Sequence, residues 1–409
     1  MTPAPAAGYH PPAMARDPAL LEECRALKRS LKPFPTLRSL RASPAWTDLE
    51  PRFRRLLGTL RRHEPGAAPP ASPDPSRVRA VHWNIEHGNR YEMVVEALLT
   101  HPELREADLL LLNEVDLGMA RAGNRDVAAD LARALGRHAV FAPLFLETTR
   151  GRDDDALMAG GREDEEGLFG VAILSRWPVG AARLVELPSP GEVQFDVERM
   201  YGRHAALVAA IEHPDVPFCA ASVHLEVHRT RAHRAAQVRV LMDALRAETR
   251  PAILAGDLNT PTFDRGLWHA PLLGAAALLL TPGSALRERL LHPDRGRRRE
   301  TLFDELERAG FSWAPFADHA PTLRVRFERV DEMRRLFGPA HGAARRLLGW
   351  AERRARLRLD WFAGRGWQDG CGSTVPGLDG PDLASDHAPI VAEFRRAGAP
   401  DAMAGAAPR

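Results

Sequence analysis

The sequence predicts an α/β fold. Three observations lead there: short apolar runs that read as strands, amphipathic stretches at helical spacing between them, and polar residues closing many of the apolar runs. The stretch AILAGDLNT, residues 252–260, shows the pattern most sharply. Its apolar run ends at Gly256 and presents Asp257 and Asn259 two residues apart, with Pro261 keeping a helix from starting at once. Residues two apart in extended chain point the same way. A carboxylate can orient or deprotonate water, and a carboxamide can donate to an anionic oxygen. The pair therefore suits attack of water on a phosphate. Asp-x-Asn is also ordinary turn chemistry, so the reading depends on what the rest of the chain supplies.

Taken in order, residues 1–63 form a helical N-terminal extension. Phe53, Leu56, Leu57 and Leu60 fall at helical spacing among arginines, the pattern of an amphipathic helix lying on a main domain. Residues 64–77, rich in Pro and Ala, are a linker by composition. The main domain is expected over 78–396. Strands are expected at 78–84, 108–112, 169–174, 204–211, 217–224, 252–256, 357–362 and 388–394, with helices at 91–100, 125–135 and 230–246. The acidic, glycine-rich stretch 151–167 reads as a solvated, mobile loop. An arginine-rich insertion occupies about 267–356, with basic segments at 287–299 and 334–358. Residues 397–409 read as a disordered tail.

Composition narrows the function classes. The chain has 409 residues, 44% of them hydrophobic, so it can bury a sizeable core. The formal net charge of +2 gives no global argument for a polyanionic partner. Lys28 and Lys32 are the only lysines among 56 basic residues; arginine makes up the rest. Cys24, Cys219 and Cys371 show neither a CxxC pair nor a cluster, which argues against a disulfide framework or a structural zinc site. That favours a reducing compartment, and no signal pattern opens the sequence, so a cytoplasmic location is expected. The greasiest stretch, 270–281, falls well short of the roughly 20 residues that a membrane span needs.

The polar residues at the ends of the apolar runs form a set: Asn84, Glu86, Glu114, His224, Asp257, Asn259, Asp360, Asp386 and His387. In layered α/β folds, sites gather where strands end and loops begin. The order WNIEHG (83–88), LLNEVD (111–116), HLE (224–226), GDLN (256–259), LDW (359–361) and SDH (385–387) resembles the endonuclease/exonuclease/phosphatase superfamily of DNase I-like metal-dependent phosphoesterases. Two further echoes are GVAILSRWP (170–178) and the pairing of Arg234 with Gln237. The resemblance implies a four-layer α/β sandwich, two face-to-face mixed β-sheets flanked by helices.

It also implies roles. Glu114 would hold a divalent metal with Asn84, Asp386 and Glu86 beside it. Mg²⁺ is the expected ion and Mn²⁺ the second choice, since hard ions take oxygen ligands. Asp257 would position or deprotonate the attacking water, and Asn259 would donate to the phosphate. His387, oriented by Asp360, would act as general base or as a charged clamp. His224 would stabilise charge on the phosphoryl oxygens or leaving group. The expected partner is a phosphate-ester substrate. Nucleic acid is slightly favoured as the commoner use of this chemistry, so a phosphodiesterase or nuclease is the first reading. A lipid or inositol phosphate phosphoesterase is the alternative; the arginine-rich segments read first as solvated helical faces and otherwise as tracks for a nucleic-acid backbone or a membrane surface. A catalytically lapsed scaffold ranks last, because every core position is filled.

Overall fold

In a computed structural model of the chain, the alternation of strand and helix formers produces two facing β-sheets with helices on both outer sides. The structure describes residues 17–66, 72, 74, 76–151, 154–227, 229–261, 278, 280–324, 354–380 and 382–395.

The first sheet runs in the order β1 (Arg61–His63), β4 (His138–Glu147), β5 (Leu168–Ser175), β3 (Leu109–Leu117), β2 (Arg77–Asn84), β15 (Ile390–Arg395) and β14 (Asp369–Thr374). The short β7 (Met200–Gly202) pairs with β4. The second sheet runs β13 (Asp360–Arg365), β10 (Ala252–Asp257), β9 (Phe218–His224), β8 (Ala205–Ile211) and β6 (Val179–Glu186). A separate pair is formed by β11 (Leu323–Arg324) and β12 (Arg356–Leu357). Both sheets are mixed: β2 is parallel to β3, and β9 to β10, within otherwise antiparallel neighbours.

Alternation along each strand builds the layers. Leu109 and Leu111 face the second sheet, where they join Leu207, Ala220, Ile253 and Phe362 in the core between the sheets. Leu110 and Leu112 face the other way. They meet α1 (Pro18–Leu31), α3 (Trp46–Gly58), α4 (Tyr91–Thr100) and α5 (Val127–Leu135) through Leu27, Phe53, Leu98 and Leu131. Behind the second sheet, Ala221, Val223 and Leu254 pack on Leu241 of α7 (Arg231–Ala244) and on Phe303 and Leu306 of α9 (Leu302–Arg308). The predicted sandwich is thus observed.

Local chemistry accounts for the helix ends. Asp17 caps α1 by accepting from the Ala19 and Leu20 amides, and Asp126 caps α5 by accepting from Ala129. Gly136 closes α5 at φ 61°, a left-handed position that suits glycine. The N-terminal helices are fastened to the sandwich: Leu27 and Leu31 are fully buried, and β1 extends the first sheet beside β4.

Several expectations are revised. Strand β4 is absent from the sequence reading because Pro143 interrupts its apolar run. The structure places that proline beside a register shift in the β4–β5 ladder, where a missing N–H is tolerated. Strand β3 continues beyond residue 112 through an irregularity to Leu117, and β13 starts at Asp360.

The acidic stretch is largely held in place. It carries α6 (Asp154–Ala159); Lys28 Nζ donates to the Glu165 carbonyl at 2.7 Å, and Asp164 accepts from the Ala120 amide at 2.8 Å. Its carboxylates and carbonyls satisfy donors of the N-terminal helix and the β3–α5 connection, which sequence spacing does not show. In the insertion, α8 (Gly283–Leu291) is followed by turns, with Arg295, Arg297 and Arg298 exposed. The basic segment expected at 334–358 lies mostly outside the described residues, as do half of the linker and all of the tail. Its last member, Arg358, is fully buried and donates to Asp318 at 2.7 Å, so it is no part of a solvated face. Among the described residues, no helix is long and apolar enough to cross a membrane.

Candidate active site

Strand register brings the polar strand ends together. On β10, Asp257 is flanked by His224 of parallel β9 and by Asp360 of antiparallel β13. On the facing sheet, Asn84 of β2 stands beside Asn113 of β3, and the turn before β15 carries Ser385, Asp386 and His387 to the same edge. The two edges are tied together. The Asp257 amide donates to Asn113 Oδ1 at 2.9 Å, and Asn113 Nδ2 donates to Ser222 Oγ at 3.2 Å. Ser385 Oγ donates to the Asn84 carbonyl at 2.7 Å, and Trp83 Nε1 donates to the His387 carbonyl at 2.9 Å.

Backbone conformation aims the side chains. Glu114 has φ 52° and lies within the ladder irregularity between Leu112 and Val115. Asn259 has φ 49° and Glu86 φ 46°. Left-handed conformations are uncommon for non-glycine residues and gather at functional sites, where the surrounding structure holds them. At Asn259 that hold is visible: its amide donates to Asp257 Oδ1 at 2.9 Å and its side chain donates to the Leu225 carbonyl at 2.8 Å.

Asn84 Nδ2 donates to Glu114 Oε1 at 3.0 Å and approaches Asp257 Oδ2 at 3.4 Å, while Asn84 Oδ1 accepts from the Glu86 amide. His224 Nε2 and His387 Nε2 lie 3.6 and 3.8 Å from Asp257 Oδ2. Asp360 bridges two imidazoles, with His387 Nδ1 at 2.8 Å and His82 Nε2 at 2.9 Å. All nine residues of the sequence-derived set therefore border one region at the strand ends.

Charge crowding is the dominant electrostatic feature. Burial, with Asp386 and Glu114 nearby, pushes Glu86 up to about 7 although Arg90 opposes it. Asp386 is also raised, by burial and by Glu114, against the pull of His387. Burial and Asp360 raise Asp257. Burial opposes charge on His387, but Asp360, Asp386 and Asp257 outweigh it and hold the imidazole well above its ordinary value. For Glu114 burial is outweighed by His87, His224, the Asn84 hydrogen bond and His387, so its carboxyl is lowered. Carboxylates forced together at this cost are what a bound cation relieves. Glu86, Glu114 and Asp386 offer only oxygen donors, the kind a hard divalent ion takes. The grouping at these strand ends whose ligand atoms lie within 4.8 Å of one another is Asp257, Asp360 and His387, all buried. Both Asp360 oxygens already accept from imidazoles there, so it reads first as a hydrogen-bonded dyad facing Asp257.

Sequence reasoning missed several members. His82 on β2 holds the second oxygen of Asp360, and alternation gave its side to the strand rather than to the site. His87 lies 3.4 Å from Glu114 and 3.5 Å from Asp116, and Arg121 pairs with Asp116 at 2.7 and 2.9 Å. Burial and Arg121 oppose charge on His87, but Glu114 and Asp116 lift it to about 9. Glu226 is buried and takes Gln194, Arg229 and His233. His87, Asp116 and Glu226 stand in the motifs WNIEHG, LLNEVD and HLE as letters that went unassigned, whereas His82 and Arg121 lie outside them.

Beside the strand ends opens a cavity of about 310 Å³. Its lining includes Glu114, His224, Asp257, Asn259 and His387, the apolar Leu144, Phe145, Phe169, Val171, Met200 and Leu225, and the polar His87, Gln194, Glu198, His204 and Glu226. No arginine or lysine is among the described residues lining it.

Residues 81–387 match the model of the Endonuclease/Exonuclease/phosphatase family. The chain belongs to that family. It is accordingly a phosphoesterase, a hydrolase of phosphate esters in a family that is typically divalent-metal dependent. No curated protein matches the chain. Among solved structures, an endonuclease/exonuclease/phosphatase from Beutenbergia cavernae DSM 12333 is 18% identical, with 80% of this chain and 73% of that one covered and a TM-score of 0.47. A truncated Caenorhabditis elegans TDP2 is 15% identical, with 78% and 98% covered and a TM-score of 0.44. A 3′-5′ exonuclease (NExo) from Neisseria meningitidis is 16% identical, with 78% and 100% covered and a TM-score of 0.43.

Proposed function

We propose that this phosphoesterase is a Mg²⁺-dependent phosphodiesterase whose substrate seats an apolar or aromatic group next to the scissile phosphate. The observation that carries the reading is the cavity wall. The cavity that holds the catalytic-type side chains is also lined by Phe145, Phe169 and Leu144, and no arginine or lysine is among the described lining residues, so its positive charge comes from histidines such as His87 and His387. A double-helical polyanion would gain little there, because phosphate backbones are held mainly by Arg and Lys. The alternative from the sequence, a lipid-like or small phosphate ester, is therefore preferred over a duplex nucleic acid.

The roles follow from placement. Glu114 and Asp386, with Asn84 and Glu86 beside them, would hold the ion. Bound there, Mg²⁺ would polarise a phosphoryl oxygen and offset the charge of displacement. Asp257, raised by burial and by Asp360, is poised to take a proton from the attacking water. His387, kept protonated by Asp360, serves as a cationic clamp on a phosphoryl oxygen rather than as the base. His224, 3.6 Å from Asp257, reaches the same oxygens, and Asn259 fixes Asp257 through its backbone amide. The bond from water oxygen to phosphorus forms as the P–O bond to the leaving group breaks; one water proton passes to Asp257, and the departing alkoxide takes a proton from solvent to leave as the alcohol.

The test is a panel assayed with purified full-length chain and Mg²⁺: sphingomyelin vesicles, a small aryl phosphodiester, an inositol phosphate, single-stranded DNA and duplex DNA. The highest kcat/KM is expected for esters with an apolar group beside the phosphate, and Asp257→Ala and His387→Ala should abolish it without unfolding the protein. Preference for duplex DNA would reject the substrate reading. Unchanged turnover in both variants would reject the catalytic one.

A further inference from the structure

The insertion between β10 and β13 carries a second, unrelated group of ligating side chains. One imidazole nitrogen each from His292 and His319 and a carboxylate oxygen of Asp294 lie within 4.8 Å of one another. His292 ends α8, Asp294 follows in the next turn, and His319 comes from the loop before β11. His319 Nε2 is 3.2 Å from each Asp294 oxygen. A tetrahedral ion with bonds of about 2.0–2.1 Å holds its ligand atoms roughly 3.3 Å apart, so this edge is already formed.

We propose that His292, Asp294 and His319 bind a zinc-class divalent ion, separate from the ion of the hydrolytic site. Hydrogen bonding explains only part of the arrangement. It accounts for His319 and Asp294, but His292 Nδ1 is buried with no hydrogen-bond partner among the described residues. A buried, unpartnered imidazole nitrogen is costly without a ligand, and the ring that carries it lies with its centroid 4.4 Å from that of His319, tilted by 39°. Two imidazoles and one carboxylate select a borderline ion such as Zn²⁺ over Mg²⁺, which prefers oxygen alone.

The surroundings orient the ligands as metal sites require. Trp313 Nε1 donates to Asp294 Oδ2 at 3.1 Å. His319, at φ 55°, is held through its neighbour Asp318, which accepts from Arg358, Ala320 and Thr374. The site touches the sandwich through Trp361, whose ring meets those of His319 and Phe303 at 5.9 and 4.9 Å. Trp361 follows Asp360 in β13, so the ion would fasten the insertion to the strand that supports His387. Cysteine counting misses such a site because its ligands are nitrogen and oxygen.

The test uses untagged full-length chain, stripped of metal and titrated with Co²⁺ and Zn²⁺. A Glu114→Gln/Asp386→Asn variant is the background that disables the hydrolytic ion. That variant should still take up one ion per chain, show visible Co²⁺ ligand-field bands and melt higher with Zn²⁺. His292→Ala and His319→Gln should lose the bands and the thermal shift, and Trp313→Phe should weaken uptake by roughly tenfold or more. His319→Gln keeps a hydrogen bond to Asp294 open, so it separates ligation from folding. Absence of saturable uptake by the background variant, or uptake unchanged in His292→Ala and His319→Gln, would overturn the proposal.

Discussion

Asp360 and His387 are joined by a 2.8 Å contact between Oδ2 and Nδ1, and the other Asp360 oxygen is held by His82. The aspartate cannot turn away from His387 without breaking both contacts, so the imidazole is fixed facing Asp257. Asp360→Asn removes the charge that keeps His387 protonated against burial. The expected result is a fall in kcat of roughly 10²–10⁴ with little change in KM. Loss of that carboxylate lowers the His387 value, so the alkaline limb of the pH–rate profile should move to lower pH. Movement of the acidic limb instead would assign His387 the role of base.

The cavity wall gives a test of substrate. Phe169→Ala or Phe145→Ala should reduce kcat/KM by roughly 10–100-fold for esters with an apolar group, since burying such a side chain is worth about 1.5–3 kcal/mol. A compact ester that does not reach that wall should be hydrolysed as before. Steady-state kinetics on the two substrate types checks this. Equal losses on both would mean that the phenylalanines act through folding.

The N-terminal helices are part of the core rather than an appendage. Leu27 is fully buried against the outer face of the first sheet. Leu27→Ala should destabilise the protein by about 2–5 kcal/mol, the usual span for a buried leucine. Denaturant or thermal unfolding measures it; a change under about 0.5 kcal/mol would mean that the helices are dispensable.

Stability should carry a signature of Glu147. This buried carboxylate lies 3.0 Å from Arg121, yet burial, aided by Asp116, pushes it up to about 7. Its folded value lies above its unfolded value of about 4.3. The protonated form is therefore favoured in the fold, so this contribution is fully present below about pH 4.3 and is lost as pH rises to about 7. Glu147→Gln should flatten that part of the stability profile in chemical unfolding from pH 4 to 8. An unchanged slope would show that Glu147 is ionised throughout.

Much of this was legible in the sequence, for identifiable reasons. Apolar runs ending in Asn84, Glu114, His224 and Asp257 marked strand ends, and strand ends are where side chains of adjacent strands meet. What stayed hidden depends on register and chain crossing. Pro143 disguised β4, and the bulge that turns Glu114 into the site has no letter of its own. His82 and His87 became site neighbours only once Asp360 and Asp116 were brought to them across the fold. The arginines of the insertion read first as a solvated face, but Arg358 is buried in a structural network and Arg299 pairs with Asp304 and Glu307.

The most direct test of the account is the Mg²⁺ dependence of hydrolysis of a bis-aryl phosphate, measured for the natural chain and for Glu114→Gln. The natural chain should need the ion and lose activity to a chelator. Glu114→Gln should require at least about tenfold more Mg²⁺ and lose several orders of magnitude in rate, as expected when a metal-holding carboxylate is removed. Metal-independent turnover, or a Glu114→Gln curve that overlays the natural one, would contradict the claim that these strand ends enclose a catalytic cation.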